Sequence, residues 1–251
     1  MKNIIAILGL TLLFAFSVNA TAPFDGVLIA LDAGHGNGAT GAVNAKYDLA
    51  EADVNGDVVL ALQQKLIAAG AIVVLTDRVS SRRQRVNSAL DKCKQSSLNR
   101  KCDILVSVHH NGNGDPTHDG TLAIYNEKKD IPLAVALHDA LVRPLPLGLG
   151  LSDEGYLSGG YGITVYGNLI SAVSEAYYIT NDCEAELYLF GATQTSSCDK
   201  TLYPDGEKGD RVEQEAQTLF DGIENYFVAN PVGEDDGGNG NKGNNGKGKN
   251  K

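Results

Sequence analysis

Four short stretches carry residue types that can bind a metal or move a proton. The first is Ile29-Ala-Leu-Asp-Ala-Gly-His-Gly36, an apolar run that breaks into a histidine held between two glycines. The second is Ser107-Val-His109-His110-Asn111, which closes the apolar run 103–108. The third is Glu51, at the head of a segment with helical periodicity, and the fourth is Glu175, inside the apolar run 170–178. Glycines at 34 and 36 let the backbone turn sharply and let a ligand approach. A histidine just past a strand lies where open α/β sheets place their chemistry, outside the carboxyl ends of the strands.

Two histidines and one carboxylate at such an edge form a three-ligand zinc set, His35, Glu51 and His109, with the fourth position open. That is the pattern of catalytic rather than structural zinc. Water at the open position loses its proton near neutral pH. Successive strand residues point to opposite faces, so at most one of His109 and His110 turns toward His35, while Ser107, His109 and Asn111 share a face. Glu51 also has a local reading, because Asp48-x-x-Glu51 matches a capping box with Asp48 at the N-cap. Its position supports the ligand reading: a helix that follows a strand and loop starts at the edge where the strand ended. Glu175 is costly inside an apolar strand unless it is paired or functional. It is the candidate general base, with a structural salt bridge as the alternative. His118 falls in a Gly/Asp/Pro loop and His138 beside the inward side of a helix, so neither reads as a ligand. His110 reads as core or as support for the ligands.

The elements that must position these residues are legible in the hydrophobic pattern. Val54, Val58, Leu62 and Leu66 recur at every fourth position and define one face of a helix from about residue 48 to 69, stopped by Gly70. Ala71–Thr76 reads as a buried strand, Arg82–Leu90 as a basic helix and Asp103–Val108 as a strand covered on both faces. Thr121–Tyr125 reads as a strand. Pro132 opens a helix with Leu133, Leu137 and Leu141 inward. Residues 145–162 read as loop, Ile163–Tyr166 as a short strand or turn, and Ile170–Tyr178 as a strand. A short helix is expected near Glu184–Leu189. The last helix spans Asp210–Phe227, with Val212, Ala216, Leu219, Ile223 and Phe227 in one stripe. Alternating strands and helices predict an α/β single domain, a mostly parallel twisted sheet with helices on both faces.

Three segments are expected along the 251 residues. Residues 1–20 carry one early lysine, an apolar stretch and Val18-Asn19-Ala20, the form of a secretory signal peptide. Residues 21–230 form the folded domain. Residues 231–251 are Gly, Asn, Lys and Asp, too polar to offset their ordering entropy, and read as a disordered tail. The formal net charge of −10 argues against nucleic acid and anionic membranes as partners. No apolar span follows the signal. Four cysteines in an exported chain suggest disulfides, and the pairing Cys93–Cys102 with Cys183–Cys198 closes two short polar loops.

The ordered set Leu31-Asp-Ala-Gly-His-Gly36, Glu51 with Asn55, Ser107-Val-His-His-Asn111, Gly120-Thr121 with Tyr125, and Glu175 resembles the zinc-dependent N-acetylmuramoyl-L-alanine amidases of the Amidase 3 family. The resemblance runs from about Val27 to Phe227. It implies a single α/β domain, one Zn²⁺ per chain on His35, Glu51 and His109, and Glu175 as the catalytic carboxylate. The implied reaction is hydrolysis of the amide between N-acetylmuramic acid and L-alanine in peptidoglycan. Glu175 would take a proton from the attacking water and pass it to the leaving amine. Peptidoglycan is the implied partner, the chain is expected to act as a monomer, and the need for a protein activator stays open. The compartment is periplasmic or extracellular. Residues 113–160 look too short for an added blocking helix, which suggests an open site. The chain departs from the family where Glu-x-Gly-Phe is replaced by Glu175-Ala-Tyr177-Tyr178. A peptidase or deacetylase on the same scaffold, or a wall-binding protein without catalysis, are the alternatives.

Overall fold

The computed structural model describes residues 23–191, 198 and 209–232. The expected signal peptide, and all of the expected tail except residues 231–232, lie outside them. The elements in chain order are β1 (Leu28–Ala33), β2 (Val43–Asn44), β3 (Leu49–Ala50), α1 (Glu51–Ala68), β4 (Ile72–Leu75), α2 (Arg82–Gln95), β5 (Ile104–Asn111), β6 (Thr121–Tyr125), α3 (Ile131–Leu141), β7 (Asp153–Ser158), α4 (Gly162–Val165), β8 (Ile170–Tyr178), α5 (Asp182–Phe190) and α6 (Asp210–Ala229).

Six strands form one sheet in the order β4-β1-β5-β8-β6-β7, and β2 pairs with β3 in a separate small hairpin. Strands β4, β1, β5 and β8 run parallel, while β6 meets β8 antiparallel and carries β7 with it. The sheet is therefore mostly parallel, as expected. On one face, Ile29, Leu31, Ile104, Val106 and Val108 pack against Val54, Val58, Leu62 and Leu66 of α1, Leu133, Leu137 and Leu141 of α3, and Leu219 and Ile223 of α6. On the other, Leu28, Ala30 and Leu105 pack against Val86, Ala89 and Cys93 of α2 and Ile163 of α4. Each fully buried leucine here contributes about 1.5–3 kcal/mol.

Several boundaries differ from the sequence reading. Helix α2 runs five residues past Leu90 to Gln95, so that buried Cys93 reaches Cys102. The second disulfide joins Cys183 and Cys198. Strand β4 is half-buried throughout rather than buried, because it lies at the sheet margin. The stretch expected to be loop, 145–162, contains β7, whose mostly polar residues Asp-Glu-Gly-Tyr-Leu-Ser have no strand pattern and pair in parallel with β6. Where Ile163–Tyr166 was expected as a short strand or turn, Gly162–Val165 form one helical turn with Tyr166 at its C-cap. Within 113–160 the one helix, α3, has its leucines in the main core. Strand β8 carries an irregularity: its register with β5 steps from His109–Glu175 to Asn111–Tyr178, so β8 has one extra residue. Such a bulge re-aims side chains, and both Ala176 and Tyr177 enter the α1–α3–α6 core.

Candidate active site

Strand β1 ends at Ala33, and the Gly34 N–H continues its pairing by donating to the Val108 carbonyl at 2.9 Å. The His109 ring lies against Gly34 so closely that a Cβ there would overlap it. His35 then adopts φ 63°, a left-handed conformation that costs a non-glycine residue about 1–2 kcal/mol. The loop after it folds back through a Gly36–Ala39 bridge and wraps around the start of α1.

That wrapping decides the role of Glu51. The capping-box expectation does not hold: the N-cap is Ala50, with no side-chain cap, and Asp48 stands at φ 51° ahead of β3. Loop carbonyls do the capping instead, Ala42 accepting from the Glu51 N–H and Thr40 from the Ala52 N–H, both at 2.9 Å. With its helix end satisfied by backbone, the Glu51 side chain is free to turn to the sheet edge. It is buried. Oε1 faces His109 Nδ1 at 2.8 Å and also accepts from the His110 N–H and Asn55 Nδ2, each at 3.2 Å. Oε2 faces His35 Nε2 at 3.2 Å and accepts from the Ala42 N–H at 2.9 Å. Gly41 (φ +69°) passes so near that a Cβ on it would meet Oε2. Burial opposes ionisation of Glu51, but the hydrogen bonds from His109 and His35, the His109 charge and the Ala42 N–H outweigh it, and its carboxyl lies well below the usual range.

The donor atoms of His35, Glu51 and His109 all lie within 4.8 Å of one another. The two imidazole rings meet edge to face with centroids 4.9 Å apart. Two imidazole nitrogens and a carboxylate, all turned to one point from three elements, suit a divalent ion of zinc type. The structure thus brings together the three residues proposed as ligands from sequence.

Glu175 stands in register opposite His109. Among the described residues its Oε2 is buried without a hydrogen-bond partner. Burial, reinforced by the charge on Glu51, pushes its pKa up to about 8. Among the described residues it has no salt bridge, which was the alternative for it. His110 points to the other face and is 1 % exposed, in contact with Asn55 and Glu215. His118 and His138 lie outside the cluster: His118 faces Glu154 at 3.0 Å, and buried His138 faces Asp153 at 2.9 Å.

Sequence reasoning did not find the Ala42 N–H, Gly41 or Glu215. The glycine- and alanine-rich composition of 36–47 was the only sign of the first two. Glu215 reads as an ordinary polar position in an amphipathic helix.

Residues 29–197 match the family model for N-acetylmuramoyl-L-alanine amidase, Amidase 3. The chain belongs to this family. Among curated proteins, the N-acetylmuramoyl-L-alanine amidase LytC of Bacillus subtilis (strain 168) is 26 % identical over 208 residues, 82 % of this chain and 36 % of LytC. The chain therefore spans about a third of the length of that relative. Among solved structures, the catalytic domain of CwlV, the amidase from Bacillus (Paenibacillus) polymyxa var. colistinus, superposes with TM-score 0.62 at 24 % identity, over 80 % of this chain and 98 % of that domain. An N-acetylmuramoyl-L-alanine amidase from Clostridium difficile 630 gives TM-score 0.64 at 18 % identity, over 81 % and 97 %. At these identities the superpositions establish that this amidase-family chain shares the α/β fold of those enzymes.

Proposed function

We propose that this chain is a zinc-dependent amidase that hydrolyses the bond between N-acetylmuramic acid and L-alanine in peptidoglycan. The observation that supports this most is the convergence of His35 Nε2, both Glu51 oxygens and His109 Nδ1, with Glu175 in register beside His109. A zinc ion held by these three residues supplies Lewis acidity toward an amide carbonyl. Glu51 is kept ionised by its donors, as a ligand must be. Its dense hydrogen bonding keeps the carboxylate in one orientation, which is the form of support that tightens metal sites.

Glu175 is the group left to move the proton. Its unpartnered Oε2 accepts from the attacking water, and the same carboxyl returns the proton to the departing amine of L-alanine. A pKa pushed up by burial suits a group that alternates between base and acid. A dication held by His35, Glu51 and His109 would favour its ionised form.

Export is part of this proposal. Residues 1–20 have the composition of a signal peptide, and two disulfides form within the described residues, as is usual in oxidising compartments. Among the described residues no helix is long and apolar enough to cross a membrane.

The test is zinc content together with release of free L-alanine amino termini from isolated peptidoglycan, for wild type and Glu175→Gln. One zinc per chain with release in wild type alone supports the proposal. Zinc without release from either form points to another amide substrate or to a binding role. No zinc removes the assignment of His35, Glu51 and His109.

A further inference from the structure

Beneath the candidate site runs a buried line of hydrogen bonds that the proposed chemistry does not use. Asn55, one turn along α1 from Glu51, is fully buried. Its Nδ2 donates to the Gly34 carbonyl at 3.1 Å and to Glu51 Oε1 at 3.2 Å. Both partners are acceptors, so this end of the side chain must be the amide nitrogen. Its Oδ1 consequently faces His110 Nδ1, at 2.7 Å. The other nitrogen of that ring, Nε2, lies 2.9 Å from Oε2 of Glu215 on α6. The side chains of His110 and Glu215 have no exposed surface.

Donor counting gives the line a direction. Asn55 Oδ1 can only accept, so His110 Nδ1 must carry a proton. A further hydrogen bond joins Nε2 and Oε2. The pair is poorly suited to stabilising the fold. Glu215 Oε1 and the hydroxyl of Tyr177, whose ring packs on His110 with centroids 4.2 Å apart, are both buried without hydrogen-bond partners among the described residues. An apolar pair of equal volume is commonly as stable or more so. What the pair does supply is a fixed donor at Nδ1. That donor, together with the Gly34 carbonyl, holds Asn55 with its nitrogen toward Glu51.

We infer that Glu215, acting through His110 and Asn55, is a positioning residue that orients the Glu51 carboxylate for metal binding. This rests on the metal reading of His35, Glu51 and His109 proposed above. It makes the last helix, far along the chain from every candidate ligand, part of the site's support. The bulge in β8 contributes by turning Tyr177 onto the face of His110.

The relay predicts different outcomes for two substitutions at one position. In Glu215→Gln, the new amide can donate to His110 Nε2, leaving the proton on Nδ1 and the direction intact. In Glu215→Leu, Nε2 loses its partner and the ring is held in that form by the Asn55 contact alone. Zinc affinity is read by chelator competition on full-length protein, with far-UV circular dichroism of the metal-free form as the folding control. Loss of supporting hydrogen bonds typically lowers metal affinity about 10–100-fold, and that is expected for Glu215→Leu, with Glu215→Gln within about threefold of wild type. A merely structural role would lower the melting temperature without moving the affinity of folded protein. Wild-type affinity in Glu215→Leu, or equal losses in both variants, overturns the relay. A second measurement needs no variant: ¹⁵N NMR of histidine-labelled wild type must show a proton on Nδ1 of His110, and a bare Nδ1 overturns the inference. Wild type that binds no zinc overturns the metal reading itself, a result distinguishable from failure of the relay.

Discussion

Glu175 of β8 and His109 of β5 are register partners across a parallel strand pair, and the extra residue in β8 follows immediately after them. Without that residue Tyr177 would share the face of Glu175. With it, Glu175 stays on the site side while Tyr177 enters the core against His110. The proposed ligand and the proposed base are therefore fixed relative to each other by backbone pairing, and the neighbouring core is fixed by the bulge.

Glu175→Gln is expected to retain zinc and lose activity by about 10²–10⁴-fold, the range for removal of a general acid–base group. The measurement is the rate of amino-terminus release from peptidoglycan, set beside metal content by atomic absorption.

The same substitution predicts a pH-dependent gain in stability of the metal-free protein. Glu175 is raised from 4.5 to about 8 by burial and by Glu51. The unfolded chain releases this proton first as pH rises, so the folded state loses stability progressively from pH 4.5 up to 8. Glu175→Gln has no such proton. The two forms should be equally stable below pH 4.5, and the variant should be more stable at pH 8. Residue 175 is intermediate in burial as a whole, and the shift is discounted to a gain on the order of 1–2 kcal/mol. Urea denaturation at pH 4 and pH 8 reads it; a difference that grows toward acid pH contradicts the assignment. Glu51 acts in the opposite sense, since its lowered pKa contributes stability above 4.5 that is lost in acid. Glu51 is present in both forms, so its contribution drops out of the comparison.

Metal removal should destabilise the native state. A site that is saturated at 100 times its dissociation constant adds about 2.7 kcal/mol. Chelation is expected to lower the melting temperature of wild type and to leave that of Glu51→Gln nearly unchanged. Differential scanning calorimetry with and without chelator checks both.

Gly41→Ala should disable the site and Gly38→Ala should not. Both glycines have positive φ, 69° and 85°, so either alanine introduces backbone strain of about 1–3 kcal/mol. Only at 41 would the new methyl also meet Glu51 Oε2 and the His35 ring, whereas at 38 it meets nothing. Zinc affinity should fall for Gly41→Ala and hold for Gly38→Ala. Equal effects in the two variants would show that strain, not the close approach to Glu51, is what matters.

The parts of this protein readable without coordinates are those written in local periodicity and residue type. Val54, Val58, Leu62 and Leu66 announced α1, the mainly apolar runs announced β1, β5 and β8, and a histidine past a strand end announced the site, because burial leaves its mark directly on the sequence. The short polar loops between cysteines indicated the pairing for a similar reason, since nearby residues meet at little entropic cost. Strand β7 left no such trace: its residues are mostly exposed and it is held by backbone hydrogen bonds, to which any sequence can contribute. The role of Glu51 was ambiguous for a related reason. Asp48-x-x-Glu51 satisfies the capping pattern, and only the return of the loop, placing the Ala42 and Thr40 carbonyls on the helix end, released the side chain to face His35 and His109. Glu215 was invisible, because its partner His110 lies 105 residues away in the chain and its meaning comes from that contact alone. Local sequence determined which elements form and which residues can do chemistry. Which of those residues meet, and in what orientation, was decided by long-range backbone pairing, a one-residue bulge and buried hydrogen bonds, none of which has a period to read.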